Sequence, residues 1–284
     1  QRFQQRFAGP IENGDVNSRQ LLKKLIQPFI LRRNKTQVLT ELPARTEVPL
    51  LVELSKDEQH WYEALRQQAV QQLAMQDGNQ QAIQVLAEIT KLRRFCCHPQ
   101  LVLPDTALSG SKLAVFAETL REILENQHKV LVFSQFVDHL AIVKTYLEQQ
   151  NIRFQYLDGS TAAKERKKRV DAFQSGEGDV FLISLKAGGT GLNLTAADYV
   201  IHLDPWWNPA VEDQASDRAH RMGQQRPVTI YRLVTKGTIE EKIIALHQQK
   251  RDLADSLLEG GEMAARLNAT ELLKLLQQSV NDVG

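Results

Sequence analysis

Arg218 and Arg221 are the residues of this sequence best suited to chemistry. They lie in DQASDRAHRMGQ, Asp213–Gln224, where nothing interrupts a helix before Gly223, so the pattern predicts a helix over Ala210–Arg221. On such a helix Gln214, Arg218 and Arg221 stand at i, i+4 and i+7 and share one face. Two neighbouring guanidiniums repel each other, an arrangement that makes sense opposite a strong anion. Arginine makes bidentate contacts to phosphate and stabilises charge developing on a phosphoryl group in transfer. Gln214 would orient a phosphate or the arginines themselves. The plainer alternative is a surface ion-pair face with Asp213 and Asp217, although isolated pairs of that kind contribute little. His220 falls on another face and reads as packing.

A second candidate is SLKAGGTGLNL, Ser184–Leu194. It is a glycine-rich turn behind an apolar run, with backbone N–H groups that could cradle phosphate; glycine clusters also occur simply to make tight turns. Ser134, Gln135, Gly159, Ser160 and Thr161 add short hydroxyl and amide donors suited to backbone phosphates, which position a nucleic acid without reading its sequence. Helix capping is the equal alternative for Ser160 and Thr161. Trp206 and Trp207 are adjacent and point oppositely in an extended chain, so one is expected in the core and Trp207 toward DNA or a cleft. The basic run Lys164–Arg169 is as consistent with a solvated helix face as with a nucleic-acid contact.

The elements that must position these residues alternate from Ser111 onward. Apolar runs Val130–Phe133, Phe154–Leu157, Val180–Ile183, Tyr199–Leu203 and Val228–Val234 are continuous, as in strands buried on both faces of a parallel sheet. Helices are expected at Lys112–Asn126, Asp138–Gln150, Ala163–Gln174 and Ala210–Arg221. The fold class is therefore α/β, a doubly wound parallel sheet, whose ligands sit at the carboxyl ends of the strands. Ser134, Asp158, Ser184 and Asp204 each follow such an end.

Upstream, residues 2–14 look irregular, and Ser18–Arg33 reads as a capped helix ending in Arg32–Arg33. Val48–Leu54 reads as extended. Lys56–Met75 and Gln80–Arg94 read as a helical hairpin broken at Asp77–Gly78–Asn79, with Trp61, Leu65, Ala69 and Leu73 as its first apolar stripe. Ser55 and Glu58 form a capping box, as do Thr238 and Glu241, the latter opening a long helix to about Leu258 that ends at Gly260–Gly261. Asn268–Gln278 reads as a short amphipathic helix.

These segments resemble the last motifs of helicase superfamily two, and QxxDRAHRxGQ, intact at Gln214–Gln224, resembles the Swi/Snf-type ATPases. Pro28–Pro43, LRRFCCHPQL at Leu92–Leu101, KVLVFSQF at Lys129–Phe136, YLDGST at Tyr156–Thr161 and HLDPWWNP at His202–Pro209 follow in that family's order. The resemblance implies a C-terminal RecA-like lobe with a helical protrusion. It implies that residues 1–55 lead into the lobe and the first protrusion helix, 56–108 form the protrusion, 109–237 the lobe and 238–284 brace helices. It makes Arg218 and Arg221 arginine fingers, turns Ser184 and Lys186 toward DNA, and turns Gly191 and Asn193 toward the nucleotide. ATP and Mg2+ are the implied cofactors. Double-stranded DNA, a first RecA-like lobe and a DNA-bound protein target are the implied partners.

The sequence contains no GxxxxGK[ST] string; Gly110–Ser111–Lys112 is the nearest. Asp57–Glu58–Gln59–His60 spells an acidic helicase motif, but the capping box makes it a helix start. The expectation is half a motor that does not hydrolyse ATP alone, cut from a longer chain, since it begins at Gln1. A non-catalytic nucleic-acid or partner-docking module and an RNA helicase lobe are the competing classes. At 284 residues with 42% hydrophobic and 24% charged content, the chain can bury a core. A net charge of +1 confines any DNA affinity to a local groove. Cys96 and Cys97 with His98 are too few ligands for structural zinc, so no metal is expected. Buried free thiols and a reducing, intracellular, DNA-associated setting (cytoplasm, nucleoid or nucleus) follow. No run approaches the ~18 apolar residues of a membrane helix.

Overall fold

The structure is a computed structural model, and it describes residues 42–74, 80–189, 191–254 and 269–277. The expected helix Ser18–Arg33 with Arg32 and Arg33, the irregular segment 2–14, the Asp77–Gly78–Asn79 turn and the Gly260–Gly261 stop lie outside them. Leu42–His247 and Glu262–Gly284 form one compact unit, the one described below. In chain order the elements are β1 (Arg45–Val52), α1 (Lys56–Ala74), α2 (Gln80–Cys97), α3 (Ser111–Glu125), β2 (Val130–Ser134), α4 (Val137–Gln149), β3 (Phe154–Leu157), α5 (Ala163–Gln174), β4 (Val180–Ser184), β5 (Tyr199–His202), α6 (Pro209–Ser216), β6 (Val228–Thr235), α7 (Ile239–Ala254) and α8 (Ala269–Gln277).

The strands form a single parallel sheet in the order β1-β6-β5-β2-β4-β3. The architecture is the RecA-like doubly wound sheet, with the helical hairpin before it and helices after it. β2 and β4 are buried along their whole length. Alternate residues feed two cores: Leu131, Phe133, Phe181 and Ile183 face α5, α6 and the glycine-rich loop, whereas Val130, Val132, Val180 and Leu182 face α3 and α4. That period of two, apolar on both sides, explains the unbroken hydrophobic runs. The extended segment before α1 also joins the sheet, as β1 beside β6.

In the hairpin, Tyr62 rather than Trp61 begins the buried stripe with Leu65, Ala69 and Leu73; Trp61 is 46% exposed. Steps of four residues drift around a helix of 3.6 residues per turn, which carries Trp61 off the core face. Val85, Ile89, Leu92 and Phe95 of α2, Ile239 and Ile243 of α7, and Leu272 and Leu276 of α8 complete this core. Arg66 caps the end of α8, with Nη1 donating to Leu276 O at 2.7 Å. Among the described residues no helix is long and apolar enough to cross a membrane.

The Ser55–Glu58 capping box is present: Glu58 N donates to Ser55 Oγ at 3.2 Å and Ser55 N to Glu58 Oε2 at 2.8 Å. Glu58 also accepts from Ser111 N, tying α1 to the start of α3. The Thr238–Glu241 box is shifted. Thr238 Oγ1 accepts from Glu240 N, but the Glu241 carboxylate takes Gly237 N rather than the Thr238 amide.

α6 ends at Ser216, not at Arg221. Its start is well specified, with Asn208 Oδ1 accepting from Ala210 N and Pro209 in the first turn. Past Ser216 the backbone bonds tighten to i−3, with Arg218 N donating to Ala215 O and Ala219 N to Ser216 O. The turn that follows is held from outside: Leu194 N donates to Arg218 O at 3.0 Å, and the Gln224 carboxamide donates to Ala219 O at 3.0 Å. The shared helix face argued for Gln214, Arg218 and Arg221 does not exist.

Lys112, at the start of α3, is fully buried against Glu240 of α7. Its Nζ lies 2.6 and 2.8 Å from the carboxylate oxygens and 2.8 Å from Leu203 O. Burial alone would depress the Lys112 pKa, but the Glu240 charge raises it above its ordinary value. Removing one member of such a pair leaves the other charged and uncompensated. Lys112→Met should therefore lower the unfolding free energy by about 3–5 kcal/mol in chemical denaturation, whereas Lys112→Met with Glu240→Leu should recover most of that loss. Equal midpoints for Lys112→Met and the unsubstituted chain would rule this out.

Candidate functional site

The chain crosses from β4 to β5 over β2, so the sheet's switch point lies where β2, β4 and β5 end. Ser134, Gln135, Ser184 and Asp204 converge there. Asp204 is a buried carboxylate that accepts from Ser134 Oγ and, at 3.2 Å, from Gln135 N. Although burial would raise its pKa, the bond to His139 and the charges of His139, Arg93 and Lys112 hold it below the ordinary value.

This geometry corrects two expectations. Ser134 is buried, and its hydroxyl donates a hydrogen bond to Asp204 while accepting from Phe136 N. Ser184 is also buried, with Oγ accepting from Ala187 N at 3.3 Å. Both hydroxyls shape turns inside the protein and neither faces a phosphate groove. Lys186, two residues past Ser184, is exposed.

The turn after β3 closes on Asp158. Ser160 N and Oγ donate to Asp158 Oδ1 at 2.8 and 2.6 Å, and Thr161 Oγ1 accepts from Asp158 N. The hydrogen bond from Ser160 lowers the Asp158 pKa first of all. Neither hydroxyl caps α5, whose N-cap is Ala162. Gly159 and Ser160 remain exposed. Arg166, inside the basic run, turns back to donate to Thr161 O at 2.8 Å, and Arg169 donates to Tyr156 O at 2.6 Å; Lys164, Lys167 and Lys168 face outward.

The glycine-rich loop lies against the arginine turn. A side chain at Gly188 would sit 2.8 Å from the Phe133 ring, so this glycine is required by close packing on β2. Gly191 turns the chain at φ +55°, and both it and Asn193 are exposed. Arg221 Nη1 donates to Leu192 O at 3.1 Å, and Leu194 N to Arg218 O. Arg218 is only 8% exposed. Burial and then the Arg221 guanidinium lower its pKa, so the two cations do sit together although not on a helix face. Asp213 pairs instead with Arg45 at 2.9 Å and Arg232 at 3.4 Å, and Asp217 with Arg45 at 3.3 Å. Gln214 is exposed on α6, and the His220 ring nitrogen Nε2 meets Pro43 O at 2.8 Å.

Trp207 is the buried tryptophan, in the helical core, and Trp206 is the partly exposed one. The expectation was the reverse, because alternation in an extended chain does not say which face is the core. Both rings flank Arg93, a residue the sequence reading passed over. Its guanidinium lies 5.0, 5.4 and 5.7 Å from the ring centres of Phe136, Trp206 and Trp207. It also donates to Pro205 O and to Gln135 Oε1. An arginine at an otherwise apolar position of α2 was the available signal.

Cys96 and Cys97 are free and buried at the end of α2, and burial raises both thiol pKa values. Among the described residues Cys97, His139 and Asp204 bring metal-type donor atoms within 4.8 Å of one another. The Asp204 oxygens are already bonded, and the buried cations Arg93 and Lys112 act on the same carboxylate. That electrostatic setting opposes a divalent ion.

Residues 114–223 match the family model described as helicase conserved C-terminal domain, and residues 1–101 match the SNF2-related domain. An ATP-dependent helicase of Mycoplasma genitalium is 40% identical over 94% of this chain and 26% of its own length. The putative ATP-dependent helicase/translocase YwqA of Bacillus subtilis is 37% identical over 98% of this chain and 31% of its own. The chain thus spans about a quarter to a third of these relatives. The Sulfolobus solfataricus SWI2/SNF2 ATPase core, solved in complex with dsDNA, superposes with a TM-score of 0.70 at 32% identity, covering 98% of this chain and 60% of that one.

The ion network beneath α6 titrates in two directions. Although burial opposes it, Arg232 and Arg45 hold the Glu47 pKa at about 2. The resulting stability is complete above the unfolded value of about 4.3 and is lost as pH falls toward 2. Glu212, inside the same network, is pushed up to about 7 by burial. Its folded form binds the proton more tightly than the unfolded chain, so stability declines as pH rises from about 4.3 toward 7. In thermal unfolding across pH, Glu47→Gln should flatten the acid limb, and Glu212→Gln should gain on the unsubstituted protein above pH 7 but not at pH 4. Parallel profiles for all three proteins would contradict this.

Proposed function

The chain belongs to the Swi/Snf-type ATPase family of helicase superfamily two, as its C-terminal RecA-like lobe with the helical protrusion, and from that premise we propose that it is the second motor lobe of an ATP-dependent double-stranded DNA translocase. The observation that carries the reading is the contact between the arginine turn and the glycine-rich loop. Arg218 and Arg221 lie close enough to repel, and Arg221 reaches Leu192 beside exposed Gly191 and Asn193. A polyanion relieves that repulsion and finds backbone N–H donors next to it.

In this reading ATP supplies the phosphoryl group and is held, with Mg2+, mainly by the first RecA-like lobe. Arg218 and Arg221 act as arginine fingers on charge that develops in transfer, and Gln214, Gly191 and Asn193 complete the nucleotide face. The chain alone does not turn over ATP. Gln135, Gly159, Ser160, Thr161 and Lys186 border the DNA track, with Lys186 the one outward cation among them. Ser134, Ser184 and Trp207 support that track from inside. The setting is intracellular and DNA-associated, and the full motor moves on duplex DNA to displace a bound protein.

In the full two-lobed protein, Arg218→Ala and Arg221→Ala should leave ATP binding largely intact while slowing single-turnover hydrolysis on duplex DNA. Losing a finger costs on the order of 10³–10⁵ in rate in other phosphoryl-transfer systems. Lysine should not rescue either position, since a point charge lacks the planar fork. Near-normal hydrolysis in both alanine variants would remove these residues from the active site. Stimulation by RNA but not by duplex DNA would favour an RNA helicase lobe.

Lys186→Ala should weaken duplex binding alike for all sequences and flatten the slope of log affinity against log salt by about one. A loss confined to particular sequences would mean base readout instead.

A further inference from the structure

The last residue of the arginine motif, Gln224, has no role in the reading above, yet its side chain is among the most completely bonded in the molecule. It is 5% exposed. Its Nε2 faces three carbonyls, Thr195 O at 3.1 Å, Ala197 O at 2.8 Å and Ala219 O at 3.0 Å. Its Oε1 accepts from Gln225 N at 3.0 Å and Arg226 N at 3.1 Å. Three acceptors surround the nitrogen and two donors the oxygen, so only one orientation of the amide fits.

Those partners belong to two segments. Thr195 and Ala197 continue the glycine-rich loop, whereas Ala219, Gln225 and Arg226 belong to the arginine turn. Other bonds that join the two among the described residues include Leu194 N to Arg218 O, Arg221 Nη1 to Leu192 O and Arg226 Nη2 to Ala196 O. The bonds from Leu194 and Arg221 start or end on the two arginines themselves, whereas Gln224 fixes the spacing without touching either guanidinium. Gly223, at φ +99°, lets the chain reverse so that this carboxamide points back into the joint.

We propose that Gln224 is a positioning residue that locks the arginine turn to the glycine-rich loop, holding Arg218 and Arg221 at a fixed spacing from Gly191 and Asn193. The proposal rests on the reading of Arg218 and Arg221 as arginine fingers. Its effect is on preorganisation: the arginines lie ready where charge develops, with no rearrangement at the moment of reaction. Without the carboxamide, three carbonyls, two of them in buried bonds, lose a donor and the joint loosens, while both guanidiniums and all strand-end residues remain.

The test uses the full two-lobed protein. Gln224→Met keeps the length and removes the amide; Gln224→Asn, one methylene shorter, serves if the methionine variant does not fold. Single-turnover hydrolysis on duplex DNA should fall about 10–100-fold, the scale set by a misplacement of about 1 Å, while ATP and duplex-DNA affinities stay within about three-fold. Hydrogen exchange in the peptide spanning residues 192–198 should accelerate at least about ten-fold, with the β2 and β4 amides unchanged. With Arg218→Ala and Arg221→Ala both in place, adding Gln224→Met should cost less than about three-fold more, because a positioning residue has nothing left to position. If the arginine variants are impaired but the Gln224 loss multiplies with theirs, or Gln224→Met hydrolyses normally, the positioning role is wrong and the fingers stand. If the arginine variants hydrolyse normally, the finger reading fails and this proposal falls with it.

Discussion

β2 and β4 have no solvent-facing side. Both faces of each strand are packed against helices, so the side chains of Val130–Phe133 and Val180–Ile183 are committed to the core. A sheet buried in this way offers its surroundings only the edges and the loops at strand ends. Most candidate residues sit at a strand end, on such a loop or on the turn that one contacts; Gln214, on α6, is the exception. The two apolar cores hold those loops still, which is what a site made of weak individual contacts requires. The close approach of Gly188 to Phe133 shows how directly the loop is seated on the strand beneath it.

A layer of buried polar groups lies between that apolar base and the surface. Asp204 gathers Ser134, Gln135 and His139, and Arg93 brings α2 into the same layer through Gln135 and Pro205. Lys112 and Glu240 do the same for α3 and α7. Buried polar networks of this kind are costly if half satisfied. Their members here link helices outside the sheet to the loops at its switch point. The helical protrusion is therefore joined to the strand ends through Arg93 and its three aromatic neighbours, not merely packed beside them.

Sequence patterning reached the sheet because both of its signals are local: unbroken apolar runs for β2 and β4, and turn residues between them. It reached the start of α1 for the same reason, since Ser55 and Glu58 bond to each other. It did not reach the end of α6. No residue from Asp217 to Met222 breaks a helix by its own chemistry; the chain tightens into i−3 bonds there, and the turn is held at Arg218 O by Leu194, a partner some twenty residues upstream that is invisible to local reasoning. Ser134 and Ser184 failed differently. A serine after a strand can point outward to a ligand or inward to its own turn, and Asp204, seventy residues from Ser134, decides that it points inward. The two tryptophans were ambiguous because what covers Trp207 is a core built from distant helices, α1, α2, α7 and α8.

Arg218 and Arg221 lie together although the helix face from which their proximity was argued is absent. Burial first and then the neighbouring Arg221 guanidinium lower the Arg218 pKa, with Asp217 acting the other way. Asp213 pairs with Arg45 and Arg232, whereas Asp217 pairs with Arg45 and also acts on Arg218. The two arginines lie beside the exposed Gly191 and Asn193, with Arg221 bonded to the Leu192 carbonyl between them. In the proposed role an anion bound there would meet two cationic donors, and the pair would assist transfer only so far as it holds the charge developing on the phosphoryl group more tightly than the ground state.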